Sequence, residues 1–129
     1  MLEFKNSTGG RVAKLPFSQS VRVGDVVYLS GAVGNIPGTQ TLVPGGLEAE
    51  VKQMMANIEA ALKAHGLTLN DVIKCTVMMA DISRWAEFNK LYVAYFNPER
   101  MPARSAFGAN GLAIGAQVEM ECWAYAGKA

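Results

Sequence analysis

Two charged residues stand where charge is costly. In PARSAFGANGLAIGAQVEMECW, positions 102–123, Arg104 sits among small and apolar residues, and Glu119 follows fifteen positions later inside a β-patterned run. An isolated charge in apolar surroundings costs free energy unless something compensates it. For Arg104 there are two readings. Its planar guanidinium can bind a carboxylate through two parallel hydrogen bonds, or it can form an interface ion pair with Glu119 or Glu121. Glu119 also has two: a structural partner for a backbone or arginine group, or a carboxylate that holds and polarises a water.

The remaining chemistry-bearing residues narrow the field. His65 is the only histidine, so a multi-histidine zinc site is excluded, and a Ser-His-Asp triad would have to use that one residue. It falls just before Gly66 at a predicted helix end, where an imidazole suits the negative end of the helix dipole. Cys75 and Cys122 are the only cysteines. Each lies in an apolar alternating stretch without CxxC spacing, the setting of a buried, inert thiol. Ser30 has no base beside it in sequence and reads as a cleft-lining residue rather than a nucleophile.

These residues need elements to position them. FSQSVRVGDVVYLSG predicts a β-hairpin, with runs from Ser18 to Val23 and Val26 to Ser30 joined at Gly24-Asp25. The glycine-rich stretch GAVGNIPGTQTLVPGG matches neither GxxxxGK[ST] nor GxGxxG and is a connection without a phosphate-binding role. Leu47, Val51, Met54, Met55, Ile58, Ala61 and Leu62 recur at helical spacing, and Gly66 supplies the stop. DVIKCTVMMAD reads as a strand with Ile73, Cys75, Val77 and Met79 on one face. Ser83 is placed to cap a second helix whose apolar side is Trp85, Phe88, Leu91, Tyr92 and Tyr95. ARSAFGA and AQVEMECWAYA are two further strands.

The resulting order, β-β-α-β-α-β-β, describes one α+β domain over residues 1–129 with both helices on one face of a mixed sheet. In the last strand Val118, Met120, Cys122, Ala124 and Ala126 alternate toward the core. Gln117, Glu119, Glu121, Trp123 and Tyr125 take the other face. That second face is too polar for a core, yet it carries a Trp and a Tyr, which predicts cover by another subunit and polar clefts where subunits meet.

Composition bounds the partners. The chain has 129 residues, half of them apolar, with 12 basic and 11 acidic side chains and a net charge of +1. No cluster of Lys and Arg marks a nucleic-acid footprint, and no apolar run has signal-peptide or membrane-spanning length. The expectation is a cytoplasmic protein without nucleic-acid or membrane partners.

PARS at 102–105 and VEMEC at 118–122, with this spacing, resemble the signature of the RidA family (YjgF/YER057c/UK114). PFSQSVRVGDVVYLSG at 16–31, the helix ending KAHGLTLNDVIKCTV and FNKLYVAYF at 88–96 extend the resemblance over nearly the whole chain. It implies a chorismate-mutase-like fold of the bacillus type. Three copies would form a homotrimer with a central barrel and active sites in the clefts between subunits. It also implies enamine/imine deaminase chemistry without cofactor or metal: hydrolysis of 2-aminoacrylate-type imines to 2-keto acids and ammonia. Arg104 would bind the substrate carboxylate and Glu119 would position the water. Phe17, Ser30, Gly31 and Ala106 would line the cleft, with Asn89 matching a family asparagine that has either a site or a structural role. Phe17 stands where members often carry Tyr, and Ala106 where many carry Cys. The first change removes a hydroxyl from the site; the second removes a thiol and leaves any backbone contact intact. Two other activities fit the resemblance: binding of small 2-keto acids without catalysis, which needs Arg104 but not Glu119, and the endoribonuclease-type translation inhibition behind the family's older name.

Overall fold

The computed structural model describes residues 1–6 and 15–127. Its strands are β1 (Leu2–Lys5), β2 (Ser20–Val23), β3 (Val26–Leu29), β4 (Val72–Met79), β5 (Ala103–Gly108) and β6 (Val118–Tyr125). Its α-helices are α1 (Gly46–Lys63) and α2 (Trp85–Tyr92). The strands form one sheet in the order β1-β2-β3-β6-β4-β5. The β4–β5 pair is parallel and every other neighbouring pair is antiparallel. This is the predicted mixed sheet with two helices, with one strand more than the predicted order contains.

The added strand is β1. It is only four residues long, too short for its alternation to register as a pattern, and it is held by pairing with β2 from Leu2↔Val23 to Lys5↔Ser20. Lys5 also donates through Nζ to the carbonyl of Ala64 at 3.0 Å, tying the strand to the end of α1. The β2–β3 hairpin turns where the sequence predicts. Val23 pairs with Val26, and Gly24 takes φ 58°, the left-handed conformation that glycine adopts without a Cβ penalty.

The predicted stripe of α1 is its core face: Leu47, Val51, Met54, Met55, Ile58, Ala61 and Leu62 are all buried. Full burial of each larger side chain contributes roughly 1.5–3 kcal/mol. Tertiary packing, rather than helix propensity, therefore holds α1. Phe88 and Tyr92 bring α2 into the same core, against Cys75, Val77, Val118, Met120 and Cys122 from the sheet. The two thiols are free and buried, with their sulfurs 3.6 Å apart across β4 and β6.

Three local expectations are corrected. A register irregularity between Val72 and Lys74 shifts the start of β4, so Val72 is buried and Ile73 is exposed; from Cys75 onward the predicted face is the core face. The turn into α2 is capped by Asp81, whose carboxylate accepts from the Ser83 amide at 3.0 Å and the Ser83 hydroxyl at 2.6 Å. Ser83 is thus a donor in the cap rather than the cap itself. His65 does not serve the helix dipole: its Nε2 lies 2.7 Å from the hydroxyl of buried Ser20, and its Nδ1 is buried without a partner.

The sheet face turned away from the helices carries a continuous row. Phe4 pairs with Val21, Val21 with Tyr28, and Tyr28 with Trp123. The Tyr28 and Trp123 rings meet edge-on at 5.4 Å. Phe4 is 64 % exposed and Trp123 42 %, so this row has no full cover among the described residues.

Burial, followed by the charge of Lys5, lowers the His65 pKa from the usual 6.5. A base whose pKa is depressed on folding binds protons more readily when unfolded, so stability is lost as pH falls from about 6.5 toward the folded value. The melting temperature should decline through this window in wild type. His65→Gln, which keeps a hydrogen-bonding group but does not titrate, should flatten that limb; a wild-type profile equally flat would contradict it.

Candidate active site

Strand parity decides where the two charges go. Arg104 on β5 is the register partner of Cys75, and Cys75 is the partner of Cys122. Side chains directly opposite one another share a face, so Arg104 points to the helix-covered side with the two buried thiols. Glu119 is the partner of Met78, and Met78 of Phe107, on the uncovered side. Within one chain Arg104 and Glu119 therefore stand on opposite faces of the sheet. Glu121 shares Glu119's face, through Thr76 and Ser105. An Arg104–Glu119 or Arg104–Glu121 ion pair cannot close inside a single copy.

Arg104 is surrounded by aromatic rings from α2. Its Cζ lies 4.8 Å from the ring centre of Tyr92, 5.8 Å from Trp85 and 5.9 Å from Phe88. Among the described residues no hydrogen bond or ion pair engages the guanidinium. Trp85, Phe88 and Tyr92 are spaced i, i+3 and i+7, which places them along one side of α2. The sequence shows that spacing plainly, but as the signature of a core-facing helix. It gives no sign that the stripe meets a cation. Asn89, on the same helix, has its carboxamide oxygen buried and without a partner, as is the Tyr92 hydroxyl. Ala106, two residues after Arg104 on β5, packs against the core cluster.

Glu119 belongs to a second group. A Cβ built on Gly31 would lie 2.0 Å from a Glu119 carboxylate oxygen, so the absence of a side chain at position 31 is what lets the carboxylate lie there. The bridge between Ala32 and Met120, closed in both directions at 2.9 and 3.0 Å, fixes this approach. Ser30 precedes Gly31, and its hydroxyl donates to the Ser18 carbonyl at 2.6 Å, which holds the segment next to Phe17. Phe17 itself is 52 % exposed. Burial, and then repulsion from Glu121, pushes the Glu119 carboxyl above its ordinary 4.5. A carboxylate disfavoured in this way is a better proton acceptor than a fully solvated one.

The predicted residues thus fall into two half-sites. One holds Arg104 and Ala106 on β5, beside α2 with Asn89; the other holds Ser30, Gly31 and Glu119, with Phe17 beside the Ser18 carbonyl. A concavity of about 390 Å³ beside Asn70, Arg100 and Tyr125, and another of about 610 Å³ beside Glu59, Leu67 and Tyr95, include none of these residues.

A family model described as Endoribonuclease L-PSP matches residues 9–126. The mouse protein named 2-iminobutanoate/2-iminopropanoate deaminase is 41 % identical over 112 residues, covering 87 % of this chain and 82 % of that one. This chain is a member of the RidA family. The human 2-iminobutanoate/2-iminopropanoate deaminase is 38 % identical over the same share of this chain, covering 81 % of its own length. The crystal structure of RidA from an Antarctic Psychrobacter is 40 % identical, with a TM-score of 0.80 and coverage of 86 % and 89 % of the two chains. The RidA resemblance carried by PARS and VEMEC thus extends to the sheet and the helices.

The Gly31–Glu119 contact can be tested directly. The atom that a new methyl would meet is the far end of a flexible side chain, so Gly31→Ala should fold while swinging the carboxylate away. A crystal structure should show Glu119 displaced, with the melting temperature within a few degrees of wild type. An unmoved carboxylate would mean that the segment of Ser30 and Gly31 yields instead.

Proposed function

We propose that this chain is an enamine/imine deaminase that hydrolyses small 2-imino acids to 2-keto acids and ammonia, at sites completed between copies of itself in a homotrimer. The observation that carries the reading is the separation of complementary charges: a guanidinium with no hydrogen-bond or ionic partner among the described residues on one face, and a half-buried carboxylate on the other. A small anionic imine needs both, and only neighbouring copies can bring them together. The apolar row of Phe4, Val21, Tyr28 and Trp123 supplies a reason for copies to associate, because such a contiguous surface is unfavourable in water. The names of the mouse and human relatives support the reaction class.

The chemistry asks little of the protein. The imine carbon is already electrophilic, so the site must hold the substrate, place a water and move protons. Arg104 of one copy grips the carboxylate through its paired N–H groups. Glu119 of the neighbouring copy accepts a proton as water adds to the C=N carbon. Returning that proton to nitrogen gives a carbinolamine, and passage of its hydroxyl proton to nitrogen by the same carboxylate expels ammonia and forms the keto group. Ser30 and Gly31 line the cleft beside the water, and Ala106 and Asn89 line it beside Arg104. Phe17 offers no hydroxyl to this arrangement. A ribonuclease reading gains no electrostatic support from a chain with 12 basic and 11 acidic residues.

The two charges should fail differently. Arg104→Ala should cost roughly 2–5 kcal/mol in binding pyruvate, a fall of about 30-fold or more in affinity. Arg104→Lys should restore only part of it, since an ammonium cannot reproduce the two-pronged contact. Glu119→Gln should keep pyruvate binding and assembly while lowering turnover. Calorimetric titration of pyruvate beside imine-hydrolysis rates separates the outcomes. Undiminished pyruvate binding by Arg104→Ala would reduce the arginine to an interface residue. Light scattering of wild type at micromolar concentration should give the mass of three chains; a monomer would remove the shared cleft altogether.

A further inference from the structure

Arg104 is held in an unusual way. An arginine kept in place for binding is commonly fixed by a carboxylate, which spends some of its N–H donors and part of its charge. Here the neighbours are the rings of Tyr92, Trp85 and Phe88 at 4.8, 5.8 and 5.9 Å from Cζ. An aromatic face attracts the cation through its quadrupole, and the attraction strengthens when water is excluded. Such contacts use none of the N–H donors, and among the described residues no hydrogen bond or ion pair takes them up. Phe88 is fully buried and Tyr92 nearly so, whereas Trp85 is 47 % exposed. The surroundings are therefore dry on the core side and open at the Trp85 side.

We propose that Trp85, Phe88 and Tyr92 are positioning residues that hold the Arg104 guanidinium by cation–π contact and so keep its N–H donors for a substrate carboxylate. This rests on the deaminase reading for the identity of the substrate, but not for the hold itself. Three rings on one helix act together: α2 delivers them at i, i+3 and i+7, and β5 delivers the arginine by its pairing with β4. Trp85 is the member of the set that can be changed without opening the core. Its replacement alters the hold on the cation at little cost to folding. Tyr92 lies deeper, and Tyr92→Phe keeps its ring while removing only the hydroxyl.

The test uses the full chain and pyruvate as the probe, with Trp85→Leu, Trp85→Phe, Tyr92→Leu and Tyr92→Phe beside wild type. Loss of one ring should weaken pyruvate binding roughly 3- to 30-fold and raise KM for the imine by a similar factor, with kcat largely kept. The two phenylalanine variants should recover most of the affinity. In NMR spectra the δ-methylene protons of Arg104 should show upfield ring-current shifts that diminish in the two leucine variants. A structural role alone would lower the melting temperature and leave these readouts unmoved. Should Trp85→Leu bind pyruvate as tightly as wild type with the Arg104 signals unchanged, the proposal is overturned; it is overturned equally if wild type does not bind pyruvate. Failure of the deaminase reading looks different: wild type binds pyruvate, the leucine variants bind it less well, and no form hydrolyses the imine. That outcome leaves the aromatic hold standing.

Discussion

A residue in a β-strand reaches only one of the two faces of its sheet, and this constraint sets everything else about the site. Arg104 shares a face with Cys75 and Cys122, while Glu119 shares the other with Met78 and Phe107. No side-chain rotation crosses a paired sheet. The chain therefore carries the two charges in separate groups, each facing a different environment. Association of copies is a requirement of the proposed chemistry, not an addition to it.

Each half solves the cost of its charge differently. A buried or half-buried ion is penalised unless its surroundings answer it. Around Arg104 the answer is three aromatic rings within 5.9 Å of Cζ, with no hydrogen bond or ion pair to the guanidinium among the described residues. Around Glu119 it is incomplete: burial and the neighbouring Glu121 push its pKa up, and Gly31 leaves room where a side chain would stand. A satisfied carboxylate would be a poor proton acceptor, so the incompleteness agrees with its proposed role. The two cysteines beneath Arg104 stay apart from this chemistry. The contact with Cys75, and then burial, push the Cys122 thiol up, and both cysteines sit in the core with no exposed surface.

Much of this was legible in the residue order. The α1 stripe, the β2–β3 turn and the alternation of β6 each repeat over enough residues to declare their period, and all three lie where the pattern places them. Features set by one or two residues escaped. β1 is four residues long and exists through its pairing with β2. The irregularity at Val72 and Lys74 turns Ile73 outward by shifting register, which no alternation count detects. His65 turned to Ser20, a contact across 45 positions that local helix rules do not see. The site was legible as residue types and motifs, since Arg104 and Glu119 are conspicuous charges in apolar runs. The face of Glu119 was legible too, from the alternation of β6; that of Arg104 was not. Parity across different strands depends on register, and register is fixed by the assembled sheet. The aromatic ring stripe of α2 was visible, but it reads as core until the strand beside it is known to carry an arginine.

The two halves, though turned apart, are not independent of each other. Arg84, at the entry to α2, donates to the Gln117 side chain and pairs with Glu87 at 2.8 Å. The Gln117 amide in turn donates to buried Glu50 of α1 at 2.8 Å. Gln117 lies two positions before Glu119. This polar chain thus ties α2, which carries the rings around Arg104, to the start of β6, which carries the carboxylate, and braces both against α1. The Gln117 carbonyl adds a bond from the Ala80 amide at 3.0 Å, at the end of β4. Within a copy the relative position of the two halves is accordingly fixed by hydrogen bonds that do not involve either charge. In the proposed assembly, the geometry of the completed cleft would then depend on one variable, the way neighbouring copies dock.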